Sequence, residues 1–329
     1  MTAPNLAIAG AGMAGAYLYR LLRRAGYRAH LYDRPISTRC GLSPCAWGTT
    51  AEFVSLVAAT GLDPEKYVLQ RHDCIVIDDL CLTAELITFD KPRLIGDLLE
   101  GAEVLNAPLT ADRYDRVIDA SGVSRALLPP VACDLVLDCC QYQVESLTPL
   151  DNRVRLGGIG YAWCFPLSAH RYHIGCGSLL ADPRRILAEL RWLRDVGTDA
   201  DGTVRCGCTG RIRLTGPHAS LPFVTDVCRE GVWGVGEAIG CVAPLAGDGI
   251  VPGMRSVQLL LEHWDSPERY TAAILKEFRW MKGERGVVER LQRGEGVGLR
   301  DARVLRKNSQ RMGMRVGLGA ALHLLRHAR

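Results

Sequence analysis

The segment Gly10-Ala11-Gly12-Met13-Ala14-Gly15 constrains this chain more than any other. It follows a short apolar run, Leu6 to Gly10, that reads as a buried parallel strand. It opens a helical stretch, Met13 to Ala25, and Tyr27 to Asp33 then alternates as a second strand. In that βαβ setting each glycine has a task. Gly10 permits the tight turn, Gly12 lets backbone approach a pyrophosphate, and Gly15 allows close helix–strand packing. The helix N-terminus offers free N–H groups and partial positive charge to an anion. Asp33 ends the second strand, where a carboxylate accepts hydrogen bonds from a ribose. The pattern predicts a dinucleotide site on Gly10, Gly12, Met13, Ala14, Gly15, Asp33 and the adjoining Arg34, without separating FAD from NAD.

Two later segments favour a flavin. Val117 to Gly122, "VIDASG", is a strand running into a small-residue turn that contains Ala120. Gly234 to Ile250, "GVGEAIGCVAPLAGDGI", is a strand followed by Gly236, the acid Glu237, and then Gly247-Asp248-Gly249-Ile250 opening a helix. An acid after a late strand can bind a ribityl chain. The N–H groups of the glycine turn can face the isoalloxazine pyrimidine and stabilise negative charge on a reduced flavin.

The rest of the chain reads as helix over 51–61, strand over 74–89, helix over 91–101, short strands near 102–109 and 114–122, and mostly strand from 133 to 177. Helices follow at 183–196 and 250–264, and an Arg-rich helical tail runs from Pro267. At 329 residues the chain suits two connected domains rather than one. Hydrophobic residues at 48% and charged residues at 23% make it globular. A net charge of +4 is too small to argue for nucleic acid, so none is expected as a partner.

The 13 cysteines are scattered, odd in number and preceded by no secretory signal, which predicts a reducing cytoplasm and no disulfide framework. Neither Cys206/Cys208 nor Cys139/Cys140 has zinc spacing, so no metal is expected. No apolar run reaches the ~18 residues that span a bilayer.

The order G-x-G-x-x-G, C-x-x-G, D-A-S-G, Y-x-W-x-F-P, G-[DE]-A-x-G and G-[DE]-G-I resembles the geranylgeranyl reductase family of flavoproteins, within the single-Rossmann, p-hydroxybenzoate hydroxylase-like FAD class. The resemblance runs from residue 1 to about 265. It implies an α/β fold: a Rossmann-type FAD-binding domain (1–60, 91–125 and 225–264), an interleaved antiparallel β-sheet substrate domain (61–90 and 126–224) and a short helical C-terminal region (265–329).

Carried over by motif, Ala14 and Asp33 would hold the adenosine end of FAD, and Cys45, Ala46 and Gly48 match the family's C-[AG]-x-G loop beside the flavin. Lys91 stands where the family usually has Arg. Ala120 falls in the small-residue turn, Glu237 replaces the usual Asp, and Gly249 and Ile250 complete the cradle. Tyr161, Trp163 and Phe165, on one face of a strand, match the aromatic motif near flavin and lipid.

The implied activity is saturation of carbon–carbon double bonds in an isoprenoid lipid by hydride from reduced FAD, with NAD(P)H or a ferredoxin-type electron carrier as donor. Cys45 is the first candidate proton donor and Cys40 the second. His170 and His173 are expected at surface or hairpin positions. A flavin monooxygenase or halogenase acting on a small hydrophobic or aromatic substrate is the alternative, although abundant thiols would be a liability around a peroxyflavin. A non-catalytic flavin-bearing prenyl-lipid binder is the third reading. The tail from Arg306 either packs on the protein's own core or lies at a membrane surface.

Overall fold

The computed structural model describes residues 4–34, 45–146, 149–193 and 206–328. In chain order it begins with β1 (Leu6–Ala9), α1 (Met13–Arg24), β2 (Ala29–Tyr32), β3 (Gly48–Thr50) and α2 (Glu52–Ala59). Next come β4 (Val68–Ile77), β5 (Leu80–Phe89), α3 (Lys91–Leu98), β6 (Val104–Leu105) and β7 (Arg116–Asp119). Then follow β8 (Val136–Glu145), β9 (Arg153–Leu156), β10 (Gly160–Pro166), β11 (Arg171–Ser178) and α4 (Pro183–Leu190). The last part holds β12 (Cys206–Arg213), β13 (Val224–Thr225), β14 (Val232–Gly234), α5 (Ile250–Glu262), α6 (Pro267–Glu277), α7 (Met281–Gln292), α8 (Leu299–Ser309) and α9 (Leu318–His327).

Two sheets organise these elements. The first has the order β13-β14-β7-β1-β2-β6 and is parallel except where β13 joins β14. β1 sits at its centre with all four residues buried, as expected of a strand covered on both faces. The second sheet has the order β12-β8-β11-β10-β9-β4-β5-β3 and is antiparallel apart from the β4/β9 pair.

Several expected elements take more definite form. The strand-like stretch 74–89 is the second half of a long hairpin, β4 and β5, turning at Asp78, whose φ is +55°. The helix expected over 183–196 stops at Leu190, where Arg191 adopts a left-handed conformation, φ +57°. The strand near 102–109 is only two residues long. Gly48–Thr50, which reads as loop in the sequence, pairs with β5 and so ties the segment after Asp33 to the antiparallel sheet. β-branched Thr49 and Thr50 are buried there, which suits a pleated edge.

One core surrounds the parallel sheet and packs α1, α3 and α5 on it. A second core lies between the antiparallel sheet and the C-terminal helices, joining Ile75, Ile77 and Val154 to Val288, Leu291 and Leu325. α9 is therefore packed on the protein itself through Ala321, Leu324 and Leu325. No described helix is long and apolar enough to cross a membrane.

Candidate cofactor and substrate site

A single cavity of about 1420 Å³ runs from the glycine turn after β1 to the C-terminal helices. One small-molecule site commonly occupies ~300–1,000 Å³, so this space accommodates more than one ligand.

Its first wall is the β1–α1 turn. Gly10 has a φ of +108°, and a Cβ there would meet the Ala120 carbonyl oxygen at 2.4 Å. A Cβ on Gly15 would lie 1.9 Å from the Gly10 oxygen. Gly15 thus sits beneath the wall as a packing contact, whereas Gly10, Gly12, Met13 and Ala14 line the cavity. α1 has no capping side chain and no acid in its first turn, and it carries Arg23 and Arg24 in its last, all of which leave its N-terminus suited to a negative group. Asp33 accepts the Ala11 amide at 2.8 Å and the Arg34 amide at 2.7 Å, locking the turn to the end of β2 while facing the cavity with Arg34.

The second wall comes from the 45–50 segment. Cys45, Ala46 and Gly48 face the cavity. The Gln141 side chain donates to the Cys45 carbonyl at 2.9 Å, and His173 Nδ1 lies 3.2 Å from the Ala46 carbonyl oxygen. Trp47 is buried, with a φ of +58°, and its ring meets His173 edge-on at 4.5 Å. His173 therefore lies on a hairpin strand, as expected, but not at the surface. It is 2% exposed on β11 and packs beneath the loop, and burial pushes its pKa down to about 4, so it is neutral. His170 does lie exposed in the β10–β11 turn. Cys40 lies outside the described residues.

The third wall is the segment from Gly236 to Ile250. Gly236, Glu237, Gly247, Asp248, Gly249 and Ile250 all border the cavity, as do Ala120 and Lys91. Glu237 accepts the Arg213 amide at 2.7 Å; the Arg213 side chain pairs with Asp134 at 2.9 Å and donates to the Val123 carbonyl at 2.6 Å. Burial raises the Glu237 pKa, and the Arg213 amide, the Arg213 and Lys91 charges and the Val123 amide oppose it. Asp248 caps α5 through the Ile250 amide at 2.8 Å and accepts the Thr49 hydroxyl at 3.0 Å; burial nevertheless pushes its pKa up to about 6. The Tyr161 hydroxyl donates to the Ala246 carbonyl.

Below these walls the cavity becomes an apolar chamber. Tyr161, Trp163 and Phe165 all line it from β10. Trp163 lies over Gly175 of the neighbouring strand, where a Cβ would stand 2.2 Å from its ring. Ile75 and Ile77 of β4 face Val288 and Leu291 of α7 and Leu324 and Leu325 of α9 across the space. The C-terminal helices, which carry no recognisable motif, thus complete the chamber. Glu284 on α7, the one acid they place on its wall among the described residues, has in sequence only the look of a solvated helix face.

The residues fit FAD. Lys91, 9% exposed, faces the cavity within electrostatic reach of the Glu237 carboxylate, and no hydrogen bond or direct ion pair holds it among the described residues. A buried cation so loosely held favours an anionic ligand. The Gly10 amide donates to the Tyr32 carbonyl and the Gly247 amide to the Ala243 carbonyl, so the N–H groups offered to an anion are those at the start of α1, from Gly12 on.

No family model matches the chain. Among curated proteins it is similar to an uncharacterized protein of Methanocaldococcus jannaschii, 24% identical over 86% of this chain and 91% of that protein. It is also similar to a menaquinone reductase of Mycobacterium tuberculosis, 36% identical over a stretch covering 32% of this chain and 26% of the relative. The match thus spans about a quarter of the menaquinone reductase. Among solved structures, a geranylgeranyl bacteriochlorophyll reductase-like protein from Thermoplasma acidophilum superposes with a TM-score of 0.69 at 16% identity, over 100% of this chain and 96% of that one. A flavin-dependent halogenase from Xanthomonas campestris gives 0.65 at 13% identity, over 88% and 78%. A probable FAD-dependent monooxygenase from Pseudomonas aeruginosa gives 0.59 at 17% identity, over 92% and 100%. The chain has the α/β fold of these FAD-dependent oxidoreductases, with a helical C-terminal region.

Proposed function

We propose that this protein is an FAD-dependent reductase that saturates carbon–carbon double bonds of an isoprenoid lipid in the cytoplasm, taking electrons from a nicotinamide or a ferredoxin-type carrier. The observation that carries this reading is the continuity of the dinucleotide cradle with a chamber walled by aliphatic side chains from the antiparallel sheet and from α7, α8 and α9. Such a wall suits a hydrocarbon chain and offers few groups to orient a polar substrate. Bound and reduced FAD would supply hydride. In this reading the chain's own residues do the rest. The Gly10–Ala14 turn and Lys91 hold the pyrophosphate, and Asp33 holds the ribose. Tyr161, Thr49 and Glu284 brace the 245–248 loop, while Trp163 and Phe165 press substrate toward it. The aliphatic chamber excludes water, which an unactivated double bond requires.

Oxygen chemistry is a second reading, favoured by the likeness to the monooxygenase and the halogenase. The cysteines weigh against it less than expected. Burial pushes the Cys139, Cys164 and Cys176 thiols up to about 12 and Cys140 up to about 11, so they remain protonated and poorly reactive.

The test is to reduce the flavin-loaded protein with dithionite in the absence of oxygen and offer geranylgeranyl lipids and a prenylated quinone. Flavin reoxidation with a saturated product is the expected result. Reoxidation only by oxygen in the presence of an aromatic substrate would replace this reading with the second. Tight lipid binding without turnover would leave a lipid carrier.

A further inference from the structure

One acid on the cavity wall is accounted for neither by the glycine fingerprint nor by the flavin-associated motifs. Glu284 is 1% exposed and projects from α7 into the chamber, beside Val288 one turn on. Its Oε2 accepts the Leu245 amide at 3.2 Å, and the Asn308 side chain hydrogen-bonds to it from α8. Leu245 follows Pro244 in the loop that leads into Gly247-Asp248-Gly249, so the carboxyl meets the chamber at its boundary with the cofactor cradle. Both groups that hold it are neutral, and burial alone pushes its pKa up to about 7.

The other ionisable groups there are differently committed. Asp248 receives two hydrogen bonds that favour its anion, from Thr49 and from the Ile250 amide. The Tyr161 hydroxyl is spent on Ala246, and burial raises its pKa far above its ordinary range. The Cys139 thiol is pushed up to about 12. A group that gives up a proton inside an apolar chamber must be neutral in its resting state, shielded from water and mildly acidic near neutral pH.

We propose that Glu284 is the proton donor for double-bond reduction, acting from the C-terminal helices onto the substrate carbon that does not receive hydride. The proposal rests on the reductase reading above and names its acid. In the step, the substrate's π bond breaks. One carbon gains hydride, with both electrons, from the reduced flavin, and the other gains the Glu284 proton. The flavin is left oxidised and Glu284 is left as carboxylate, to be reprotonated from water.

Glu284→Gln separates this role from a structural one, because the amide oxygen still accepts the Leu245 N–H but carries no acidic proton. With flavin-loaded protein and geranylgeranyl lipid in a single anaerobic turnover, the variant is expected to keep flavin and lipid binding and to lose 10²–10⁴-fold in the rate of flavin reoxidation. Infrared titration of the unmutated protein supplies a readout independent of turnover. In the difference between the unmutated protein and the variant, where Asp248 and Glu237 cancel, a protonated-carboxyl band is expected at pH 6 that fades through about pH 7. Reoxidation within threefold of the unmutated rate overturns the proposal alone, as does absence of that band; the first result together with lost activity in Cys45→Ser moves the role to Cys45. If the unmutated protein reduces no prenyl lipid, the reductase reading itself fails and this role fails with it.

Discussion

Burial of Glu284 makes a stability prediction that does not depend on any ligand. Its pKa rises from an ordinary 4.5 to about 7, because desolvation penalises the anion and only the Leu245 amide and Asn308 oppose it. Below pH 4.5 the group is protonated in both the folded and the unfolded chain and costs nothing. Between 4.5 and 7 the unfolded chain releases the proton while the folded chain retains it, so stability falls as pH rises. With these two values the linkage integral gives a loss of about 2–3 kcal/mol between pH 5 and pH 8. Glu284→Gln removes the term and keeps the shape, so the two proteins should be similarly stable at pH 5. The variant should be more stable by about 2 kcal/mol or more at pH 8. Urea denaturation followed by tryptophan fluorescence at pH 5, 6, 7 and 8 measures this, since Trp233 and Trp163 are buried. Asp248 shifts in the same direction, but it is present in both proteins and cancels. Parallel stability profiles would show that Glu284 ionises freely in the fold and would refute the account of its environment.

Other consequences can be checked directly. Gly15→Ala places a Cβ within 1.9 Å of the Gly10 oxygen, so the β1–α1 turn must open; the purified variant is expected to be colourless, and a normal flavin spectrum would refute the cradle. Lys91→Met removes the buried cation and should weaken flavin binding tenfold or more by fluorescence titration, with steeper salt dependence in the unmutated protein; equal affinities would show that Lys91 does not meet the anion. Leu325→Trp fills the chamber from α9 and should abolish prenyl-lipid binding while leaving the flavin spectrum unchanged; undiminished lipid binding would place the substrate elsewhere.

Much of the cofactor cradle is legible in the sequence because its requirements are local. A turn that admits only glycine, a buried four-residue strand and an acid at the end of the next strand leave a contiguous signature, and Gly10, Gly12, Ala14 and Asp33 border the cavity together. The aromatic motif is legible for a similar reason: alternate residues of one strand share a face, and Tyr161, Trp163 and Phe165 line the same wall. His173 shows where that logic ends. Its neighbours in sequence suggest a hairpin, and it sits on one, yet β11 is interior to the sheet and its ring partner is Trp47, more than a hundred residues away.

What the amino-acid sequence determines by itself is a dinucleotide-binding α/β chain with the punctuation of a flavoprotein, since those features depend on residues within one βαβ unit or one turn. The tertiary structure alone decides what the chamber is. Its aliphatic wall is assembled from strands of the antiparallel sheet and from α7, α8 and α9, which are far apart along the chain and individually resemble any amphipathic segment. Glu284 becomes chemically distinctive only when folding removes water from it and places the Leu245 amide beside it, because desolvation is a property of the packed environment and has no counterpart in local sequence.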